Sequence, residues 1–346
     1  MNNKKKIFDL IKDYDAYIYV TIVVLIIVPM LTSGYKNYSL NNLNFYLEQS
    51  KTPQERIEIN TQRIRINPRE SSFYISRGLA YDELRDWENA FADYSKAIEL
   101  DPANSVGYNN LGNMYSEFGD IEKAIDNYNI SIKLKSNNPK AYSNRASSYL
   151  ALKEYEKALI DANKAIELDP NITSAYNVRG NLYVDWKKYD KAMTEYNKSI
   201  ELGIKNNDPL WDESIVYNNR AILFNILKQY EQAIADADEA IKIDPNNHSF
   251  YNTKALAYQE LEQYSKAIFY YETSIRLNPQ NTYSYFGRGL TYIKINEYQK
   301  AINDYNKVIE LDANDHLAYN NRGVAFQRLG YFDRAQADFD KAQKLK

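Results

Sequence analysis

Side chains with catalytic or ligating potential are scarce in this chain. His248 and His316 are the two imidazoles, and each stands where a helix is expected to start, so each reads as a helix-start polar residue. There is no cysteine, which removes disulfides, thiolate metal sites and thiol nucleophiles together. No glycine-rich phosphate loop, nucleophile elbow or paired-histidine metal motif is present. Neither enzymatic activity nor a metal, a cofactor or a small-molecule substrate is expected. What recurs in step is asparagine: Asn109, Asn110, Asn113, Asn144, Asn177, Asn181, Asn218, Asn219, Asn252, Asn320 and Asn321 flank a column of tyrosines. A carboxamide carries both a donor and an acceptor, so a row of them can pair with successive peptide groups of an extended chain whatever its side chains. The row also fits the general abundance of asparagine and lysine in this chain, and residue type alone leaves both readings open.

The elements that must position these asparagines are set by a unit of 34 residues that recurs eight times from Ser71 onward. Glycine or alanine marks one point of every copy, at Gly78, Gly112, Ala146, Gly180, Ala221, Ala255, Gly289 and Gly323, and a second small column runs from Ala90 to Ala335. In the copy 71–104, Tyr74, Gly78 and Tyr81 have the spacing of one helical face, and Ala90, Tyr94, Ala97 and Ile98 form another. Two amphipathic helices per copy are predicted. Asp86 starts the turn between them, and Asp101-Pro102 ends the second, because the residue before proline avoids helical geometry. Asp169-Pro170, Asp244-Pro245 and Asn278-Pro279 repeat that stop. A period this long means an array whose units touch only their neighbours, so one elongated domain is expected despite the length of 346 residues. The tyrosine column Tyr74, Tyr108, Tyr142, Tyr176, Tyr217, Tyr251, Tyr285 and Tyr319 has core spacing, which favours packing over a stacking platform for bases or sugars. With 43 basic against 46 acidic residues and no basic stripe, nucleic acid is excluded as an expected partner.

The paired small residues, the aromatic columns Tyr81, Tyr115, Tyr149, Tyr183, Phe224, Tyr258, Tyr292, Phe326 and Tyr94, Tyr128, Tyr196, Tyr271, Tyr305, Phe339, and the proline after the second helix resemble the tetratricopeptide repeat. Ala162 and Ala237 depart from the second aromatic column, and Ser136, Ile204 and Ala313 replace the closing proline. The resemblance implies an all-α fold, a right-handed α-solenoid of stacked antiparallel helix pairs, with copies at 71–104, 105–138, 139–172, 173–206, 214–247, 248–281, 282–315 and 316–346. It also implies that the first helices line a concave face into which the asparagines point, where they would hold a protein or peptide partner. The family's clamp for chaperone C-terminal carboxylates is not expected. Asn113 and Asn144 match its two asparagines, but Asn109 stands for the first lysine, and Ser174 and Val178 for the final basic pair.

Before the array, residues 16–35 belong to a run without charges that is long enough for one helix across a hydrocarbon core of roughly 30 Å. Lys4, Lys5, Lys6 and Lys12 precede it and Lys36 follows, so lysine bias places residues 1–15 in the cytoplasm and the repeats on the extracytoplasmic side of a bacterial membrane. A cleaved signal peptide is the alternative, disfavoured by three aspartates before the run and by Thr32-Ser33-Gly34 at its end. Residues 36–70 read as a linker and a degenerate capping repeat whose second helix spans 53–66. At the other end Gln336 and Gln343 replace columns of phenylalanine, isoleucine, leucine and methionine, as a capping copy requires. The insertion 207–213 is expected to start the fifth copy's first helix early, with Asp208 as cap and Pro209 as first residue. Trp211 then covers a seam or serves as an accessory contact for a partner. The expected function is a membrane-anchored scaffold for an extended polypeptide segment; a cytosol-facing receptor or import and assembly factor is the alternative.

Overall fold

The computed structural model describes residues 51–206 and 213–346, and these form seventeen α-helices with no strand among them. They fall into two compact units that meet in sequence at Pro102 and Ala103, where one continuous array was expected. Any seam is a candidate boundary when units pack only on their neighbours. The described part of the first unit holds α1 (Pro53–Ile66), α2 (Ser71–Glu83) and α3 (Trp87–Leu100). The second holds α4 (Ser105–Glu117), α5 (Ile121–Leu134), α6 (Pro139–Ala151), α7 (Tyr155–Leu168), α8 (Thr173–Asp185), α9 (Tyr189–Asn206), α10 (Glu213–Ile226), α11 (Tyr230–Ile243), α12 (His248–Glu260), α13 (Tyr264–Leu277), α14 (Thr282–Lys294), α15 (Tyr298–Leu311), α16 (His316–Arg328) and α17 (Phe332–Leu345). The anticipated span at 16–35, Trp211 and the early start at Pro209 lie outside the described residues. Among the described residues no helix is long and apolar enough to cross a membrane.

Local chemistry explains the boundaries. The helix expected over 53–66 is α1, whose Thr52 and Glu55 cap each other's backbone amides. Every pair of first and second helices is joined by a turn containing one residue at positive φ: Arg85, Gly119, Lys153, Lys187, Lys228, Glu262, Asn296 or Gly330. The residue after it donates its N–H to a carbonyl one turn back, as Asp86 does to Tyr81 and Lys188 to Tyr183 at 2.9 and 2.7 Å. This left-handed end satisfies carbonyls that the helix leaves open. Asp101, Asp169, Asp244 and Asn278 follow the second helices before each proline. Second helices also stop in the same register without proline, at Leu134 and Leu311. Only at Ile204 does the helix run through the proline position, so that α9 reaches Asn206 and takes up part of the insertion.

Within each pair, packing depends on complementary sizes. A Cβ added to Gly78, Gly112 or Gly180 would lie 2.7, 2.6 or 2.5 Å from the ring of Tyr94, Tyr128 or Tyr196. Where the second helix carries Ala162 or Ala237 instead of the ring, the first helix carries Ala146 or Ala221, and all four are fully buried. In the sixth copy Ala255 stands opposite Tyr271, and the ring leans forward instead, so that a Cβ on Gly287 would meet it at 2.4 Å.

An arginine on the first helix ties the second helices together. Arg145, Arg220 and Arg322 each clasp a carboxylate sixteen residues on, Asp161, Asp236 or Asp338, through two N–H groups at 2.6–2.8 Å. A third nitrogen donates to Asn129, Asn197 or Asn306 on the preceding second helix. Arg77 does the same within the first unit, between Asp93 and Thr61. Such forked pairs fix orientation as well as charge. The sixth copy departs again: buried Lys254 pairs backward with Asp238 and sits 4.2 Å from the centre of the Tyr270 ring.

Candidate interaction groove

In the second unit the first helices of successive pairs approach one another from α4 through α16, so they form the inner side of the stack. The predicted asparagines lie on these helices, but their environments differ. Asn109, Asn110 and Asn218 are buried, with only 7–8% of their surface exposed. Asn144, Asn177, Asn181, Asn219, Asn252 and Asn321 are half-buried, and Asn113 and Asn320 are exposed.

Most of their oxygens already accept hydrogen bonds from the protein. Asn144 donates to Asn113 at 2.8 Å and to Asn109 at 3.3 Å, and Asn219 donates to Asn177 at 3.0 Å. Tyr128 and Tyr196 donate their hydroxyls to Asn113 and Asn181 at 2.8 and 2.6 Å. Thr253 and Ser284 donate to Asn218 and Asn252 at 2.8 and 2.9 Å, and Asn321 donates to the Leu317 carbonyl. The row is therefore first a polar seam that stitches one copy to the next. On the donor side, the amides of Asn144, Asn219 and Asn321 are engaged in the protein as well.

A second column, which shares Asn113 and Asn181 with the asparagine row, changes character along the inner side. One turn beyond the buried asparagines stand Asn113, Ser147 and Asn181 on α4, α6 and α8, then Ile222, Leu256 and Leu290 on α10, α12 and α14. Within the second unit the polar members precede the insertion and the apolar ones follow it, while in the first unit Leu79 holds the same register. Ile222 and Leu256 keep 41% and 40% of their surface exposed, and Ile226 and Tyr283 beside them 43% and 81%. Large side chains left open in a row across three helices mark a binding surface more often than isolated ones do. They border a cavity of about 930 Å³ between α10, α12 and α14, which also reaches Asn225, Gln259 and Phe286. This apolar column could have been read from the sequence by aligning the copies at the 34-residue period.

Asn225 is the odd member of this wall. Its Nδ2 donates to the Thr253 carbonyl at 3.0 Å, while its Oδ1 is buried and has no hydrogen-bond partner. An acceptor stripped of water without a partner costs about 1–3 kcal/mol. His248 and His316 are the first residues of α12 and α16, the helix-start positions expected of them. The His248 ring lies against the amides of Asn278 and Asn281 at 3.1 and 2.7 Å, and burial lowers its pKa. Among the described residues no group of three or more histidine, aspartate or glutamate side chains is placed to hold a metal ion.

Family models described as "TPR repeat" and "Tetratricopeptide repeat" match the chain in tandem. The first matches 112–153 and 291–330. Three described by the second phrase match 71–104, 139–172, 214–247 and 249–281, then 94–126 and 270–303, then 173–202 and 316–346. No curated protein sequence matches. Among solved structures, the fold is similar to the crystal structure of the APC/C hetero-tetramer Cut9-Hcn1, with TM-score 0.66 and 16% identity over 78% of this chain. This chain spans about half, 52%, of that one. It is also similar to a tetratricopeptide repeat protein from Parabacteroides merdae, with TM-score 0.52 and 22% identity over 74% of this chain and 99% of the other. At these identities the likeness concerns the fold.

Proposed function

Given that this chain belongs to the tetratricopeptide repeat family, we propose that it is an interaction scaffold that holds an extended segment of another polypeptide against its first helices. The observation that carries this reading is the two-part inner wall: half-buried amides on α6, α8 and α10, followed by open apolar side chains on α10, α12 and α14. Amides at one-copy spacing can pair with the backbone of an extended chain, and the apolar column can seat its side chains. Replacing Asn144, Asn177 and Asn219 by alanine should weaken capture of a crosslinked partner by roughly tenfold if each contributes a fraction of a hydrogen bond. Unchanged capture with an unchanged helical signal would refute the reading.

Anchoring belongs to the same proposal. Residues 16–35 would tether the scaffold as a retained single span, with residues 1–15 in the cytoplasm and the repeats outside it. Because the chain has no cysteine, one introduced at Lys153 is a clean reporter. An impermeant maleimide should label it in intact cells. Labelling only after lysis would reverse the orientation and favour the cytosol-facing receptor.

A further inference from the structure

Resting on the groove reading above, we infer that the cavity between α10, α12 and α14 is a specificity site for an uncharged, apolar residue of the bound segment, and that Asn225 reads one backbone N–H beside that residue. The wall is built from Ile222, Ile226, Leu256, Phe286 and Leu290, with charge confined to Lys228 and Glu260. Away from those two side chains the wall offers no charge to pair with, so a charged occupant seated against the apolar residues would lose water without an opposite partner there. The polar groups in the wall are biased in the same direction. Asn218 and Asn252 already accept from Thr253 and Ser284 through their oxygens, which leaves their amide N–H groups to offer to carbonyls. Gln259 accepts from Thr291 at 2.8 Å in the same way. Asn225 is the opposite case: it is 9% exposed, its N–H group is held by the Thr253 carbonyl, and its oxygen awaits a donor. A wall of several donors and one buried acceptor suits an extended chain, which offers a carbonyl and an N–H at every residue. A helix has both already paired within itself.

The test uses the full chain and displayed random twelve-residue peptides as the probe. Retained peptides should share a tryptophan, phenylalanine or leucine in an uncharged context. Leu256→Glu should weaken them at least tenfold, and Ser147→Glu, in the polar half, should change them less than threefold. For one such peptide, N-methylation at each residue in turn should find a single position that costs the wild type about tenfold and costs Asn225→Leu nothing. Circular dichroism and thermal midpoints of each variant keep folding losses apart from binding losses. Peptides that depend on Ser147 and not on Leu256, that are charged at their centre, or that turn helical on binding would overturn the assignment while leaving the groove reading in place. Self-association abolished by Leu256→Glu would make a second copy the occupant and overturn it as well. If no peptide is retained, both readings fall.

Discussion

The exchange of ring for methyl between facing helices makes a sharp prediction at Gly180. A methyl group there would sit 2.5 Å from Cε1 and 2.7 Å from Cδ1 of Tyr196. That ring is 1% exposed, is packed by Ala192, Ile200, Val216 and Leu223, and is pinned by its hydroxyl to Asn181, so it has no route of retreat. Overpacking of this kind costs about 3 kcal/mol at the upper end, and replacing a mid-helix glycine by alanine returns about 1 kcal/mol. Gly180→Ala should therefore destabilise by about 2 kcal/mol. Tyr196→Ala alone should cost about 3–5 kcal/mol through the cavity it leaves. In that background the same Gly180→Ala change recreates the Ala146 and Ala162 pairing and should stabilise by about 1 kcal/mol. The two sites would then couple by about 3 kcal/mol, and the effect of one substitution would change sign. Urea unfolding of the four proteins, followed by far-UV circular dichroism and by tryptophan fluorescence, measures this; Trp186 lies 6.1 Å from Tyr183 on the same pair of helices. An additive cycle, or a stabilising Gly180→Ala in the wild type, would refute the complementarity.

Other expectations follow from the turns, the clasps and the buried titratable groups. Lys153→Gly and Lys187→Gly remove side chains from left-handed backbone at φ 58° and 56°, and each should raise stability by about 0.5–1 kcal/mol in the same denaturation assay. Arg220→Met leaves the carboxylate of Asp236, whose side chain is 10% exposed, without its fork, and should cost about 3 kcal/mol, little altered by salt. Burial pushes the hydroxyls of Tyr128, Tyr196, Tyr271 and Tyr305 well above the ordinary tyrosine range. Stability from this source is complete below about pH 10 and falls as pH rises beyond it. Absorbance titration should therefore show these four ionising only with unfolding. Burial lowers the His248 pKa, so its contribution is complete above about pH 6.5 and is lost as pH falls through the folded value. The thermal midpoint should drop more in the wild type than in His248→Gln over that window.

How much of this was legible in the sequence depended on which physical link carried it. Helix pairs, their small and aromatic columns and the Asp-Pro stops repeat in register, so the period exposed them directly. The extension of α9 to Asn206 was not visible, because Ser136 and Ala313 show that losing the proline alone does not lengthen a helix. The asparagines could be placed on the first helices, yet which atoms of each amide are already bonded was set by distances between copies. Asn109 and Asn218 were indistinguishable by type from Asn113, although the former are buried and the latter is exposed. The arginine clasps were recoverable, since Arg145 and Asp161 recur sixteen residues apart, but only beside their third partner do they reveal why. The unpaired oxygen of Asn225 had no sequence signal, because it follows from where Thr253 happens to lie.

The forward lean of Tyr271 gives this molecule a fixed order of parts. Where the seventh copy offers Gly287, the others offer Ser76, Asn110, Asn144, Val178, Asn219, Thr253 or Asn321. Even a single methyl at that point would meet the ring at 2.4 Å. Transposing the sixth module in front of any but the seventh would thus bring a collision, and excising it would leave Gly287 facing a void. Modules that look interchangeable by their signature are, at this joint, matched like consecutive pages.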